Sequence, residues 1–182
     1  MSTRHLTKRI LRELRQENVD IETPDDFYRD LHAACDFDHD PCPLGGKNNP
    51  AVQDGLDPVT VWGQRNFVNP PFKNNDKWIA KARAEDHHGR SSVMLLPIRS
   101  TTRYWQDLVM NHADVYFVVG KFKFKGYTNS FPVPMCLVVF DSAAQFNLPA
   151  AAGGYPLWSG RRTSRPTRSS TYGVAAKHPR RR

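Results

Sequence analysis

The stretch Asn66-Phe67-Val68-Asn69-Pro70-Pro71-Phe72 is the most informative part of the sequence. It begins as an apolar run, so a short strand should end just before Asn69. Two successive prolines fix φ near about −65° and lack N–H donors, so the chain leaves the strand in a stiff bend with free carbonyl groups. Asn and Pro are also ordinary turn formers, and a plain strand-terminating turn is the alternative interpretation. Residues 69–72 are called the diproline loop below.

Strands and helices alternate around the diproline loop. Residues 93–96 form a continuous apolar run, which is typical of a strand covered on both faces of a sheet. The Thr-Pro-Asp-Asp sequence of residues 23–26 predicts a helix start, with Thr as the cap and Pro in the first helical position. Further strands are expected at residues 36–40, 115–119, 121–125 and 135–140. Further helices are expected at residues 76–86 and after a cap at Ser100, Thr101 or Thr102.

Lys and Phe alternate strictly in residues 121–125, so a strand there would carry three lysines on one face and two phenylalanines on the other. Residues 126–134 contain Gly, Asn, Ser and Pro, and their length allows a hairpin connection to the strand at 135–140. The predicted fold class is therefore α/β, a sheet with flanking helices that ends in a C-terminal antiparallel strand pair.

The length of 182 residues allows one domain with a substantial core, plus extensions. Composition and spacing predict three segments: an amphipathic helical extension at 1–20, a folded domain at 21–148 and a tail at 149–182. Leu6, Ile10, Leu11 and Leu14 have helical spacing, so the extension either packs on the domain or presents its basic side to nucleic acid. The Gly, Ser, Arg and Pro content beyond Ala150 predicts disorder.

Nothing in the sequence predicts secretion or a membrane partner. There is no run of 18 apolar residues, and the basic N-terminus lacks the apolar core of a secretory signal. Three cysteines without a spacing pattern argue for a reducing compartment. We therefore expect an intracellular protein, in the cytoplasm or nucleus of a host cell.

The formal net charge of +8 lies entirely in the tail. Residues 159–182 carry eight basic residues and no acidic one, and the preceding chain has equal numbers of acids and bases. Basic residues interleaved with Tyr155, Trp158 and Tyr172 suit phosphates and bases. The tail is therefore a candidate nucleic-acid contact.

Two metal sites can be drawn from the sequence, and neither meets the requirements of its metal. Asp36, Asp38 and Asp40 have the spacing of a calcium loop, but that loop needs Gly at its sixth place and Glu at its twelfth, where this chain has Pro and Lys. Cysteines at 35 and 42 with His39 lack the second paired element of a zinc site. No metal is expected.

Eight short pieces follow one another in the order found in the phage-type DNA N6-adenine methyltransferase family, which the chain resembles over about residues 22–141. The pieces are Thr23-Pro24, Asp40-Pro41-Cys42, Asp54-Gly55-Leu56, the diproline loop, Trp78 with Lys81-Ala82, Leu95-Leu96-Pro97 with Arg99, Lys121-Phe122, and Leu137-Val138-Val139-Phe140. The resemblance implies that the folded domain is a reduced Rossmann-like sheet that uses S-adenosyl-L-methionine. Only 28 residues lie between Asp40 and Asn69, so the cofactor half is short.

The resemblance implies methyl transfer to the exocyclic N6 amine of adenine in DNA. The catalytic residues would be Asn69, Pro70, Pro71 and Phe72. The Asn69 side-chain oxygen and the Pro70 carbonyl would accept hydrogen bonds from the amine, while Phe72 stacks on the extruded base. Phe72 stands where Tyr is commoner in the family, which keeps the stacking face and omits a hydroxyl.

The resemblance also implies a cofactor site. Thr23 and Pro24 would approach the methionine end of the cofactor, and Asp40, Pro41 and Cys42 its amino group, while Asp54 would bind the adenosyl amine. Each has a simpler alternative: a helix cap for Thr23, a solvated carboxylate for Asp40 and a turn residue for Asp54.

Basic side chains outside the diproline loop are the candidates for DNA contact: Arg99, Arg103, Lys121, Lys123, Lys125, Arg161 and Arg162. For each single lysine a solvated surface position is the alternative. Two other functions stay open. The chain could be a catalytically reduced methyltransferase-like subunit for nucleic-acid binding or assembly, or a methyltransferase that acts on RNA or protein glutamine.

Overall fold

The computed structural model describes residues 21–44 and 53–159. Its helices are α1 (Asp25–Cys35), α2 (Asn75–His87) and α3 (Arg103–Leu108), and a 3-10 turn (Phe72–Asn74) precedes α2. Its strands are β1 (Arg65–Val68), β2 (Ser91–Pro97), β3 (Asp114–Val118), β4 (Met135–Phe140), β5 (Ala151–Ala152) and β6 (Tyr155–Ser159).

The six strands form one mixed sheet in the order β1-β2-β4-β3-β6-β5. β1 and β2 are parallel, with Val68 opposite Met94. β4 is antiparallel to both β2 and β3, so β1, β2 and β3 run in the same direction. His39 adds a parallel bridge to Asn66 on the outer side of β1.

Helices cover both faces of this sheet. On one face α1 buries Phe27 and Leu31 against sheet residues such as Leu95 and Leu137. On the other face α2 and α3 bury Trp78 and Trp105 against the alternate residues of the same strands. Since successive strand residues point to opposite faces, β2 and β4 are buried along their whole length. The described chain is therefore a three-layer α/β domain, as the sequence predicts.

Helix α1 begins one residue later than its start pattern indicates. Pro24 occupies the N-cap position, and no side chain caps the helix among the described residues. Asp25 and Asp26 lie in the first turn, where their charges complement the helix dipole. The helix ends at Cys35 because Asp36 takes a left-handed conformation, with φ of 51°, and its amide donates to the His32 carbonyl. Thr23 is thus not the cap that the sequence predicts.

The predicted strands at 135–140 and 93–96 are confirmed, and so is the antiparallel pairing of β3 with β4. The predicted strand at 36–40 is reduced to the single bridge of His39. The prediction of a strand at 121–125 is wrong. β3 ends at Val118, and Gly120, with φ of 99°, turns the chain away from the sheet. Phe122 and Phe124 are still buried and the lysines are exposed. The alternation therefore reflects burial of every second side chain in a segment that is not a strand of the sheet.

Residues 151–159 form β5 and β6, where the composition predicts disorder. Gly153 and Gly154 both have positive φ and make the turn between the two strands. Tyr155 packs its ring against Phe27 and Phe122, which anchors β6 to the core. The Gly-Gly pair is typical of a tight hairpin turn, but the high Gly, Ser, Arg and Pro content of the surrounding segment favoured a prediction of disorder.

The predicted N-terminal helix at 1–20 and the tail from residue 160 lie outside the described residues, and the domain boundaries stay predictions. Within residues 21–44 and 53–159, no helix is long and apolar enough to cross a bilayer.

Candidate functional site

The chain segments that carry the predicted site residues meet at one edge of the sheet. β1, β2 and β3 run in the same direction, and residues 38–39 run alongside β1, so all four segments end on the same side. The diproline loop follows β1, Arg99 follows β2, and Lys121 follows β3. The carboxyl edge of parallel strands is where open α/β sheets bind ligands. We call this the carboxyl edge.

The Asn69 side chain is fixed by two hydrogen bonds from its nitrogen. Nδ2 donates to the Ile21 carbonyl over 2.6 Å and to Thr23 Oγ1 over 3.1 Å. Because a peptide carbonyl can only accept, the nitrogen must be the atom that faces Ile21, and this assigns the amide orientation. Oδ1 is left buried without a hydrogen-bond partner among the described residues.

A buried oxygen without a partner loses its hydration and gains nothing in return, so such atoms are uncommon. Five other buried side-chain atoms in the described part of the chain share this condition, on His39, Asn66, Asn75, Arg90 and Ser92. Asn69 Oδ1 is the one that belongs to the diproline loop. It is therefore an acceptor available for a ligand N–H.

The rest of the diproline loop is partly buried. Pro70 is buried, and Phe72 is half-buried with its ring centroid 5.4 Å from that of Phe131 and 6.0 Å from that of Phe124. Both neighbours belong to the connection between β3 and β4. The aromatic ring predicted to stack on a base is thus held at the carboxyl edge by two other rings.

The predicted cofactor residues Asp40 and Asp54 lie in two similar turns that touch each other. Asp40 Oδ1 accepts from the Cys42 amide, and Asp54 Oδ1 accepts from the Leu56 amide, each over 3.0 Å. A Cβ added to Gly55 would lie 2.2 Å from the Pro41 carbonyl oxygen, so only glycine permits this approach. The structure therefore brings together residues 40–42 and 54, which are distant in the sequence.

Surrounding protein atoms raise the pKa of the Asp40 carboxyl from its ordinary value of 3.8, and the hydrogen bond from Cys42 and the neighbouring His39 oppose this effect. Asp40 is nevertheless exposed to solvent. Burial raises the pKa of the Tyr28 hydroxyl, and the Asp40 charge raises it further. Tyr28, on α1, packs edge-on against Phe67 with centroids 5.1 Å apart. It is a site neighbour that no sequence pattern indicated.

The predicted basic residues divide into three groups. Arg99 and the exposed Lys121 and Lys123 lie just beyond the carboxyl ends of β2 and β3. Arg103 is exposed and 3.6 Å from Asp107, while Lys125 Nζ contacts Glu22 at 2.7 Å and Asp25 at 2.9 Å. These hydrogen bonds raise the pKa of Lys125 to about 12. Arg161 and Arg162 lie outside the described residues.

An open cleft of about 720 Å³ lies between the start of α1 and residues 123–128. Its lining includes Pro24, adjacent to Thr23, and Phe124, which contacts Phe72. Lys123 and Lys125 supply positive charge, and Asp25 and Asp26 supply negative charge. Pro24 is a predicted cofactor residue that lines this cleft, whereas Asp40, Asp54 and Asn69 do not line it.

Residues 21–44 and 53–159 contain no group of three His, Cys, Asp or Glu side chains placed to hold a metal. None of the three cysteines forms a disulfide among the described residues. Burial raises the pKa of Cys35 to about 12 and raises that of Cys136 as well, so both are poor nucleophiles.

A sequence model of the family described as DNA N-6-adenine-methyltransferase (Dam) matches residues 14–136, about two thirds of the chain. The chain belongs to this family. The Dam match contains the whole carboxyl edge, from Thr23 to the connection between β3 and β4. It confirms the resemblance to this family and puts the chain in the class of DNA adenine methyltransferases, and the last of the eight pieces, at residues 137–140, lies beyond the matched region. No curated protein and no solved structure matches the chain significantly.

The Dam match covers the loops of the carboxyl edge and singles out no residue within them. The sequence pieces indicated Asn69, Asp40 and Asp54, and the structure brings their loops to one edge. The Ile21 carbonyl was missed because backbone atoms carry no sequence signal. Thr23 was predicted to cap a helix or to contact the cofactor, whereas in the structure its hydroxyl accepts a hydrogen bond from Asn69.

Proposed function

We propose that this Dam-family chain transfers a methyl group from S-adenosyl-L-methionine to the N6 amine of adenine in DNA. The observation that carries the proposal is Asn69 Oδ1, a buried acceptor that has no partner among the described residues. The nitrogen of the same amide donates to the Ile21 carbonyl, which fixes the orientation of the amide group. An exocyclic amine has N–H donors that this oxygen can accept. The Pro70 carbonyl is the second proposed acceptor, because no backbone amide among the described residues donates to it, whereas the Pro71 carbonyl accepts from the Asn74 amide over 3.4 Å.

The order of elements supports a reduced Rossmann-like methyltransferase sheet. The elements occur in the order expected for the second half of such a sheet. This order is a bridge at His39, β1 with the diproline loop and α2, β2 with α3, and the β3–β4 pair. Residues at the carboxyl edge would therefore face the cofactor and the base.

Asp40, Pro41, Cys42 and Asp54, with Pro24, are the residues proposed to hold the cofactor. The chemistry of Asp40 suits its amino group: a carboxylate crowded by protein atoms gains from a cation partner, and it can accept more bonds than the one from Cys42. S-adenosyl-L-methionine supplies, when bound, an electrophilic methyl group on its sulfonium. The amine is itself the nucleophile, so the chain needs only to orient it and exclude water.

Phe72 is proposed to stack on the extruded base, which would contribute about 1–3 kcal/mol. Its ring is already held by Phe124 and Phe131, so binding would restrict its side-chain freedom only a little further. DNA contact is assigned to the exposed residues Lys121 and Lys123, to Arg99 and Arg103, and to the basic tail.

The test is methyl transfer from labelled S-adenosyl-L-methionine to DNA, followed by digestion and identification of the modified nucleoside by mass spectrometry. N6-methyladenine is expected. Asn69→Ala should abolish the label while cofactor binding stays nearly intact, and Asn147→Ala, an exposed asparagine outside the site, should behave as the wild type. Equal labelling by Asn69→Ala would refute the assignment.

The same assay separates the alternatives. Label on RNA or on protein glutamine, with none on DNA, would keep the chemistry and change the substrate. DNA binding without cofactor binding would indicate a reduced subunit.

A further inference from the structure

Thr23 lies where it can control the orientation of the Asn69 amide. Its Oγ1 accepts from Asn69 Nδ2 over 3.1 Å, across 46 positions of sequence. The hydroxyl does not cap α1, whose N-cap position is Pro24. The hydrogen bond to Asn69 is therefore the side-chain interaction that the structure gives this threonine.

The segment that carries Thr23 is itself held in place. The Lys125 amide donates to the Glu22 carbonyl over 3.0 Å, and the Lys125 ammonium contacts the Glu22 and Asp25 carboxylates. The Ile21 carbonyl, on one side of Glu22, and the Thr23 hydroxyl, on the other, both point to Asn69. Residues 21–23 thus hold the Asn69 side-chain nitrogen in a fixed position.

Two partners on the nitrogen restrict rotation of the Asn69 side chain. With only the Ile21 carbonyl as partner, one N–H would lack an acceptor, and the amide could turn about its last torsion, which has a broad preference. A turn of this kind would move Oδ1, the atom proposed to accept from the adenine amine. Displacements of about 1 Å at a reacting group can lower rates about 100-fold.

We infer that Thr23 is a positioning residue, whose hydroxyl, with the Ile21 carbonyl, fixes the Asn69 amide so that Oδ1 is presented to the target amine. The inference rests on the proposed function and assigns Thr23 a role distinct from cofactor contact. It distinguishes two results: a positioning role affects kcat, whereas a cofactor contact affects the cofactor Kd.

The kinetic test compares Thr23→Val, which keeps the shape and removes the hydroxyl, with Thr23→Ser, which keeps the hydroxyl. Thr23→Val should lower kcat for DNA methylation by about 10- to 100-fold, with the KM for DNA and the cofactor Kd unchanged. Thr23→Ser should restore most of the rate. A normal kcat in Thr23→Val, a raised cofactor Kd without loss of kcat, or a serine variant as slow as the valine variant would overturn the inference.

A second measurement does not depend on activity. The side-chain amide signals of Asn69 can be followed by ¹⁵N–¹H NMR and assigned by their loss in Asn69→Ala. In the wild type and in Thr23→Ser both protons should exchange slowly with water. In Thr23→Val, or in Thr23→Ala if the valine variant does not fold, they should shift and exchange faster. Unchanged signals would overturn the inference even if the wild type methylates DNA. A wild type that shows this coupling but methylates no DNA would remove the proposed function and with it the catalytic role of Thr23.

Discussion

The Asp40 side chain is exposed to solvent, closes a turn and lies in the proposed cofactor site, and nearby protein atoms raise the pKa of its carboxyl. Folding raises its pKa, so the folded state holds this proton more tightly than the unfolded chain does. Ionisation of Asp40 therefore opposes folding, and its contribution to stability falls as pH rises from 3.8 through the raised pKa. A carboxyl whose pKa is raised in this way is a candidate functional group.

We expect Asp40→Asn to be at least as stable as the wild type at neutral pH and to lose the part of the pH dependence that comes from this carboxyl. The amide oxygen can still accept from Cys42, so the turn should survive. Cofactor affinity should fall about 10- to 100-fold, because hydrogen bonds to charged groups contribute about 1.5–3 kcal/mol. Thermal unfolding across pH and a cofactor-binding titration measure the two effects.

Asp57→Asn is the matched control. Its carboxylate closes a turn of the same kind, accepting from the Val59 amide over 3.0 Å, and it is not a proposed site residue. It should leave cofactor affinity unchanged. Equal losses in both variants would show that the turns, rather than the Asp40 charge, matter for binding.

At single residues, sequence reasoning identified the diproline loop and the acidic turns because they consist of side chains with restricted chemistry. It could not provide the direction of the Asn69 amide, which depends on a backbone carbonyl 48 positions away. It also missed Tyr28, whose place beside Asp40 depends on how α1 packs.

Among the elements, β5 and β6 show how much a tight turn depends on its glycines. Gly153 has φ of 53°, and its amide donates to Asp30 on α1 over 2.8 Å. A Cβ there would lie 2.8 Å from the Phe27 nitrogen. Gly154 has φ of 77° but no neighbour within 4 Å of an added Cβ.

We expect Gly153→Ala to destabilise the fold clearly more than Gly154→Ala. Both variants place a side chain at a positive φ, which costs about 1–2 kcal/mol, but only the first must also displace the α1 backbone. That displacement should add about 1–3 kcal/mol, the usual range for overpacking. Urea unfolding of the two variants measures the difference, and equal losses of stability would contradict the close approach of this turn to α1.

Elements with a strong local pattern were predictable. β2 and β4 are continuous apolar runs, and α2 repeats its apolar residues at helical spacing. The Lys-Phe alternation at 121–125 was misleading, because burial of alternate residues needs a core on one side but no neighbouring strand. Pairing depends on where Gly120 turns the chain, which the local pattern does not contain.

In the whole molecule, charge and fold are separated along the sequence. The +8 excess lies in residues 159–182, while the preceding chain is formally neutral. Within the domain, several basic groups are already paired, including Lys125 with Glu22 and Asp25. Long-range attraction to DNA should therefore come mainly from the tail.

Truncation after Ser159 keeps β6 and removes this charge. We expect a shallower dependence of log K for DNA binding on log salt concentration, by about 0.9 for each phosphate that the tail neutralises in the full-length protein. Replacing the eight basic residues of the tail with glutamine in the full-length chain should have the same effect, which separates charge from length. An unchanged slope would contradict a DNA role for the tail.

The close approach of Gly55 to Pro41 couples the loops that contain these two residues, so substitutions in one loop constrain the other. Any side chain at position 55 would clash with the carbonyl of position 41. Trp62 donates its indole N–H to the Gly55 carbonyl, and this hydrogen bond restricts a shift of the Gly55 loop that could relieve the clash. Libraries that randomise one of these loops alone should yield few folded members, and redesign of the proposed adenosine side of this protein has to treat both loops as a single unit.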